Sequence, residues 1–273
     1  MLGHAVVQTL AEAADFEVYG AGRSPVRLEG VAAERLIHGV DALDDDALQG
    51  LFDTVRPEAV VNAVGVIKQL KTAEDPLQAI PLNALLPHRL AALCERSGAR
   101  LVQISTDCVF AGDRGGYSED DRPDAVDLYG LSKQMGEVTA RPSAITLRTS
   151  LIGRELGTRN GLIEWFLHAG PEVKGYRRAV FSGLPTVVFA EVLRDHVLPR
   201  PDLHGVFHVG GDAIDKDELL RLAAEVYGVA KDIVPVDEPR IDRSLDSGRF
   251  RAETGFSPPP WRAMLETMRG RQG

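Results

Sequence analysis

The chain of 273 residues predicts an α/β fold: a doubly wound parallel sheet, with a small α/β lobe on its C-terminal side. Three observations carry this. Up to residue 150, short apolar runs bounded by turn residues alternate with amphipathic stretches of helical length, the pattern of βαβ units. Two of the runs, V-V-N-A-V and L-V-Q-I-S, are nearly continuous in apolar residues, as strands covered on both faces must be. Beyond residue 150 the rhythm loosens, which points to a second, smaller unit interleaved with the end of the sheet.

The elements follow in order. His4–Ala14 reads as a helix, then Glu17–Gly20 and Glu34–Ile37 as strands. Asp44, Asp45 and Asp46 cap a helix over Asp44–Val55 and suit its dipole. Ala59–Val64 is a strand. A long helix lies within Gln78–Ser97; Pro76, Pro81 and Pro87 crowd its start, so its regular part begins late, with Pro87 in the first turn. Arg100–Ser105 is a strand, Leu128–Ala140 a helix and Ala144–Thr149 a strand. Further on, 161–168, 187–198 and 217–227 read as helices and 206–210 as a strand. This places residues 1–155 in the sheet domain, returns 184–210 to it, and assigns 156–183 and 211–273 to the lobe.

Composition excludes several functions. The net charge of −9, with no local Lys/Arg run, argues against a nucleic-acid partner. Cys94 and Cys108 give no disulfide framework, so a reducing compartment is expected. No apolar run approaches the roughly 20 residues of a membrane span, and no signal peptide opens the chain; a cytoplasmic location is the expectation. Seven histidines and two cysteines show no metal-ligand spacing, so no metal is expected.

The chemistry sits in two strings, Q-I-S-T-D-C-V-F-A-G and D-L-Y-G-L-S-K-Q-M-G-E. On a helix, Tyr129 and Lys133 lie one turn apart on one face. An ammonium fixed beside a phenol favours the phenolate, which would let Tyr129 give up a proton near neutral pH. Thr106, at the end of the preceding strand, would hold the oxygen that receives it. With a hydride donor present, these three reduce a carbonyl.

The donor is predicted from the N-terminal third. M-L-G-H-A-V-V looks like the end of a dinucleotide fingerprint, with Leu2 and Gly3 at the N-terminus of the helix that holds a pyrophosphate. The glycines and strand that open such a motif are not in the sequence, so roughly ten further residues upstream, one strand and a turn, are expected. Arg23 and Ser24, in Y-G-A-G-R-S, suit a ribose 2′-phosphate, hence NADPH in preference to NADH. Asp41 would sit near the adenine or start the next helix. Ala63, Val64 and Gly65 close a strand at its carboxyl edge, where such sheets bind ligands, and Lys68 points toward the same place. The fold is then of Rossmann type.

Taken together, S-T-D-C-V-F, Y-G-L-S-K, V-N-A-V-G, L-R-T-S and G-L-P-T resemble the extended short-chain dehydrogenase/reductases, in the dTDP-4-dehydrorhamnose reductase branch, from Met1 to about Trp261. The resemblance implies reduction of a nucleotide-diphosphate-linked 4-keto-6-deoxy sugar for surface polysaccharide synthesis. It makes Tyr129 the general acid, Lys133 the holder of the nicotinamide ribose and Thr106 the partner of the carbonyl oxygen. Asp107 would lie beside the sugar, Asn83 near a superfamily asparagine, and Arg243 at the diphosphate. Cys108 departs from the branch, which commonly has Tyr there; the related dehydratases have Glu, and without it dehydration is not expected. GDP-fucose synthase, an epimerase–reductase, uses a cysteine at this place with a histidine, and the corresponding helix R-N-G-L-I-E-W-F has none at its start. A role as a nucleotide-binding regulatory subunit, as in the beta subunit of methionine adenosyltransferase, is the alternative from another class, and a homodimer is possible under either.

Overall fold

The computed structural model describes residues 1–271. The chain runs α1 (Leu2–Ala11), β1 (Gly20–Gly22), β2 (Leu36–His38), α2 (Asp45–Val55), β3 (Ala59–Asn62), α3 (Pro76–Ala79), α4 (Leu86–Ser97), β4 (Arg100–Thr106), α5 (Leu128–Met135) and β5 (Ala144–Thr149). It continues β6 (Leu151–Ile152), α6 (Leu162–His168), β7 (Glu172–Tyr176), β8 (Ala179–Phe181), β9 (Leu184–Pro185), α7 (Thr186–Val192) and β10 (Gly205–His208). The last elements are β11 (Ile214–Asp215), α8 (Lys216–Tyr227), β12 (Asp232–Val236), β13 (Ile241–Asp242), α9 (Gly248–Thr254) and α10 (Trp261–Gly270).

The main sheet has the order β10-β5-β4-β3, every pair parallel. β1 and β2 form a separate parallel pair, and no ladder joins β1 to β3 among the described residues. All seven residues of β4 and all six of β5 are buried. One face of these strands carries Val102, Ile104, Ile145 and Leu147 into a core shared with Phe189 and Leu193 and with Met264 and Leu265 of α10. The other carries Leu101 and Ala144 against Leu48 and Phe52 of α2 and Leu90 of α4. Helices therefore cover both faces, and each large side chain so buried contributes about 1.5–3 kcal/mol. A small mixed sheet, β11-β8-β13, and the parallel pair β12-β7 make up the C-terminal side.

Several boundaries differ from the sequence expectation. The first strand pairs over Gly20–Gly22, because its register with Leu36–His38, not its most apolar residues, sets its limits. The helix expected over Leu128–Ala140 ends at Met135. Val138 cannot continue it, since its N–H and carbonyl are both taken by the Thr146 hydroxyl (3.1 and 3.0 Å). Ahead of α4, which starts at Leu86 with Pro87 in its first turn, the chain is not irregular. Pro76 opens α3, and Ile80–Leu85 is a π-helical turn. The same device follows α7 at Leu193–Val197. Strands of two or three residues in the C-terminal part, and the short α9, carry too little pattern to be read in advance, whereas α10 does carry a helical signal, Trp261, Met264, Leu265 and Met268 lying on one buried face, that the sequence reading did not use.

Candidate active site

The site forms where β4 ends. Thr106 closes the strand and its hydroxyl accepts from the Cys108 amide (3.1 Å), which tightens the next three residues into a 3₁₀ turn. The same hydroxyl donates to Asp107 Oδ1 at 3.1 Å. α5 is laid against this turn. Asp127 caps it by accepting from the Gly130 amide (2.8 Å), and Lys68 Nζ binds the other Asp127 oxygen at 2.6 Å. Gly130 permits the approach: a Cβ there would stand 2.2 Å from the Cys108 carbonyl. Gly136 does the same at the far end, where a Cβ would stand 1.9 Å from the Asn83 carbonyl.

This packing puts half-buried Tyr129 in hydrogen-bond contact with Thr106 and buries Lys133 one turn on. Lys133 Nζ donates to the Ile104 carbonyl at 2.7 Å. The helix is held from behind by Asn83. Its Oδ1 accepts from Val66 N (2.9 Å), and its Nδ2 donates to Val66 O (3.3 Å) and to Ser132 Oγ (3.2 Å). The π-helical turn is what brings the buried Asn83 side chain to this point, a common use of such a turn near functional sites.

The electrostatics correct one expectation. Lys133 does not depress the tyrosine. Burial pushes the Tyr129 phenol above its ordinary value, with Cys108, Asp107 and Asp127 adding to the rise and the Thr106 hydrogen bond opposing it. The lysine is drawn to the β4 carbonyl, and burial lowers its own pKa to about 8 against the pull of Glu137. Tyr129 is thus held protonated, the state a general acid needs. Burial raises the Asp107 carboxyl, and burial followed by the Asp107 charge pushes the Cys108 thiol up to about 12.

Of the other anticipated residues, Gly3 at the start of α1 lies against Ala63, 3.9 Å from its Cβ at the point where a side chain would begin. Leu2, Gly3 and the exposed run Ala63, Val64, Gly65 therefore share one edge. Arg23 and Ser24 are exposed directly after β1. Asp41 is exposed and accepts from the Leu43 amide (3.0 Å), so it shapes the turn before α2. Lys68 is engaged by the α5 cap. Arg243 is tied down: Nε donates to Phe110 O (2.8 Å) and Nη2 to Ala111 O (3.0 Å), which leaves Nη1 toward other partners. That anchor belongs to a wider seam. Tyr117 bridges to Leu245, Tyr117 N donates to Ser244 O (3.0 Å), and Asp242 N donates to Gly112 O (2.7 Å). Phe110 and Tyr117 stack beneath it with centroids 4.2 Å apart.

Two groups escaped sequence reading. Lys216, the first residue of α8, lies within electrostatic reach of Asp107, Cys108, Arg243 and Lys68, and burial lowers its pKa. No motif marks it. Glu137 and Arg148 form a buried pair behind Lys133. The signal for Glu137 was its i+4 spacing from Lys133. Among the described residues no cluster of three or more His, Cys, Asp or Glu stands ready for a metal.

Comparison with known proteins fits this geometry. The model of the family described as RmlD substrate binding domain matches residues 1–271. The chain belongs to that family. Within reach of this RmlD-family chain is a probable low-salt glycan biosynthesis reductase, Agl14, of Haloferax volcanii, 31% identical over 95% of this chain and 91% of that protein. A dTDP-4-dehydrorhamnose reductase of Aggregatibacter actinomycetemcomitans is 23% identical over 84% and 86%. Among solved structures, the dTDP-4-dehydrorhamnose reductase of Bacillus anthracis in complex with NADP superposes with a TM-score of 0.75 at 20% identity, covering 89% of this chain and 92% of that one. This neighbour shares the Rossmann-type fold expected from the sequence.

Proposed function

We propose that this RmlD-family chain is an oxidoreductase that uses NADPH to reduce the 4-ketone of a nucleotide-diphosphate-linked 6-deoxy sugar, in the synthesis of a surface polysaccharide or glycan. The observation that carries the reading is the meeting of Thr106, Tyr129 and Lys133 at the end of β4. NADPH would supply the hydride. Tyr129, held protonated, donates its proton to the developing alkoxide, and Thr106 hydrogen-bonds the same oxygen. Lys133 offers a positive charge and two further N–H donors to the ribose beside that tyrosine.

The cofactor suits the residues present. Small residues at Gly3, Ala63 and Gly65 let a dinucleotide lie against the backbone at the α1 N-terminus, and Arg23 and Ser24 suit a 2′-phosphate. The complex of the Bacillus anthracis protein with NADP supports the same cofactor, and NADH remains a weaker alternative. Asp107, Lys68 and Arg243 are assigned to the sugar nucleotide, with Lys216 added. Residues 1–155 and 184–210 form the cofactor domain and 156–183 and 211–273 the substrate lobe in this reading; β10 in the main sheet supports the return at 184–210. A cytoplasmic site of action, where nucleotide sugars are made, and a homodimer complete it. No helix among the described residues is long and apolar enough to cross a membrane. Epimerisation by Cys108 loses support from its thiol, which stays protonated far above neutral pH.

The test is NADPH oxidation with dTDP- and UDP-linked 4-keto-6-deoxy sugars. Tyr129→Phe should bind NADPH normally and lose about 10²- to 10⁴-fold in turnover, the contribution of a general acid. Full activity in that variant removes the reading. NADPH binding without turnover on any substrate would favour a regulatory subunit.

A further inference from the structure

We infer that Glu137, clamped by Arg148 and Ser105, is a positioning residue for the reaction: the fixed countercharge that holds the Lys133 ammonium against β4. The inference rests on the reductase reading for its meaning and on geometry for its existence. Glu137 lies two residues past the end of α5, and the two side chains are anchored at neighbouring residues of β4: Lys133 Nζ on the Ile104 carbonyl (2.7 Å) and Glu137 Oε1 on the Ser105 hydroxyl (2.7 Å). Gly136 ends α5 between them, and the Thr146 clasp on Val138 pins the next residue to β5. Glu137 is thereby turned inward rather than toward solvent.

Its carboxylate is fully engaged. Oε1 accepts from Ser105 Oγ (2.7 Å) and Arg148 Nε (2.8 Å), and Oε2 accepts from Arg148 Nη2 (2.7 Å). Both side chains of the pair are only 5% exposed. Ser105 directly precedes Thr106, so the clamp reaches the catalytic end of β4 through one peptide. Arg148 Nη1 meets His208 Nε2 at 3.2 Å, and His208 Nδ1 meets the Tyr117 carbonyl at 2.9 Å. Burial, and then Arg148, hold His208 neutral, with a pKa of about 4.

Charge counting decides the role. A buried structural pair needs one cation for Glu137, and Arg148 supplies it bidentately. Here a second buried cation, Lys133, is held one residue along β4 from the Ser105 contact, with only the Ile104 carbonyl as a hydrogen-bond partner. Lys133 meets the Ile104 carbonyl of β4 and feels the Glu137 carboxylate from the stretch after α5; behind Glu137 stand Arg148 of β5 and then neutral His208 of β10. Glu137 is the carboxylate that favours the charged lysine, and its loss would remove that pull from Lys133 and the bidentate partner from Arg148.

The experiment follows the Lys133 side chain itself, by NMR of labelled lysine, with its signal assigned from the Lys133→Met spectrum. In the intact chain the titration midpoint should lie near 8. Glu137→Gln keeps the shape and most hydrogen bonds and removes the charge; the midpoint should fall by about one unit or more, a tenfold change in protonation. The double variant Glu137→Gln with Arg148→Met removes both charges and should return the midpoint part-way, a rescue that a merely structural pair would not give. If Glu137→Gln does not fold, Arg148→Met carries the test, since its freed carboxylate should raise the midpoint. The alkaline limb of kcat/KM for NADPH oxidation should move with the midpoint in each folded variant. An unmoved midpoint in folded Glu137→Gln overturns the inference. Midpoints that move as stated, with no NADPH oxidised by any form, would leave the inference standing and sink the reductase reading instead.

Discussion

Lys133 should be replaceable by methionine with a gain in stability, and the size of the gain should depend on pH. Burial lowers the pKa of this lysine from 10.5 to about 8. A gap of that size withholds about 3 kcal/mol of stability while both the folded and the unfolded chain carry the proton, that is, below pH 8. Between about pH 8 and 10.5 the unfolded chain binds more protons than the native one, so the penalty shrinks as pH rises, to about 1 kcal/mol at pH 9.5. Methionine keeps the apolar stem and discards the ammonium. The Ile104 carbonyl loses one donor and keeps another, Gln103 Nε2 at 3.1 Å, so the lost hydrogen bond costs about 1 kcal/mol. Lys133→Met should therefore be more stable than the parent by about 2 kcal/mol at pH 7, and about equal to it at pH 9.5. Urea unfolding followed by the fluorescence of Trp165 and Trp261 at the two pH values measures both numbers. A variant no more stable at pH 7, or a difference that does not change with pH, would refute the reasoning. The same variant should lose activity, because a charge that strains the fold is there for a ligand.

Gly136→Ala, with a Cβ 1.9 Å from the Asn83 carbonyl, should lose about 3 kcal/mol or more by forcing α5 off the π-helical turn; a melting temperature within a degree of the parent would contradict this. Asn83→Leu should cost about 2–4 kcal/mol in chemical unfolding, because the Val66 amide and carbonyl lose their partner behind the site. Cys94 and Cys108, both with thiols pushed up to about 12, should react with iodoacetamide at pH 8 about 10³-fold more slowly in the folded chain than after unfolding. Rapid labelling of Cys108 in the native protein would show an activated thiol and reopen a role for it in catalysis.

The sheet was legible where physics is local. β4 and β5 are buried on both faces, and their apolar runs say so; Asp44 and Pro87 mark their helices by capping and by ring geometry. That Thr106, Tyr129 and Lys133 come together was legible because helical spacing and strand position together fix where side chains point. What escaped depends on contacts distant in sequence. The sign of the tyrosine shift turned on burial and on the pull of the Ile104 carbonyl on Lys133, neither of which spacing reveals. The π-helical turn aims Asn83 through one extra residue per turn, which apolar periodicity does not resolve. Arg148 sits in L-R-T-S as one more polar residue of a strand, and its meaning arises only when β5 lies beside Glu137.

The seam between the loop after β4 and the C-terminal segment bears on how the molecule is born. Gly116 N donates to Ser244 Oγ across 128 residues of chain, and Arg243 reaches Phe110 across 133. Contacts so far apart close late, because the loop entropy must be met before they return anything. During synthesis, Thr106, Tyr129 and Lys133 leave the ribosome long before residue 243, with the sheet able to form and the turn that carries Asp107 and Cys108 still unclasped. A nascent chain would thus hold Thr106, Tyr129 and Lys133 in an unfastened frame until the segment carrying Arg243, Ser244 and Leu245 emerges, and any activity would report the closing of this seam rather than the folding of the sheet.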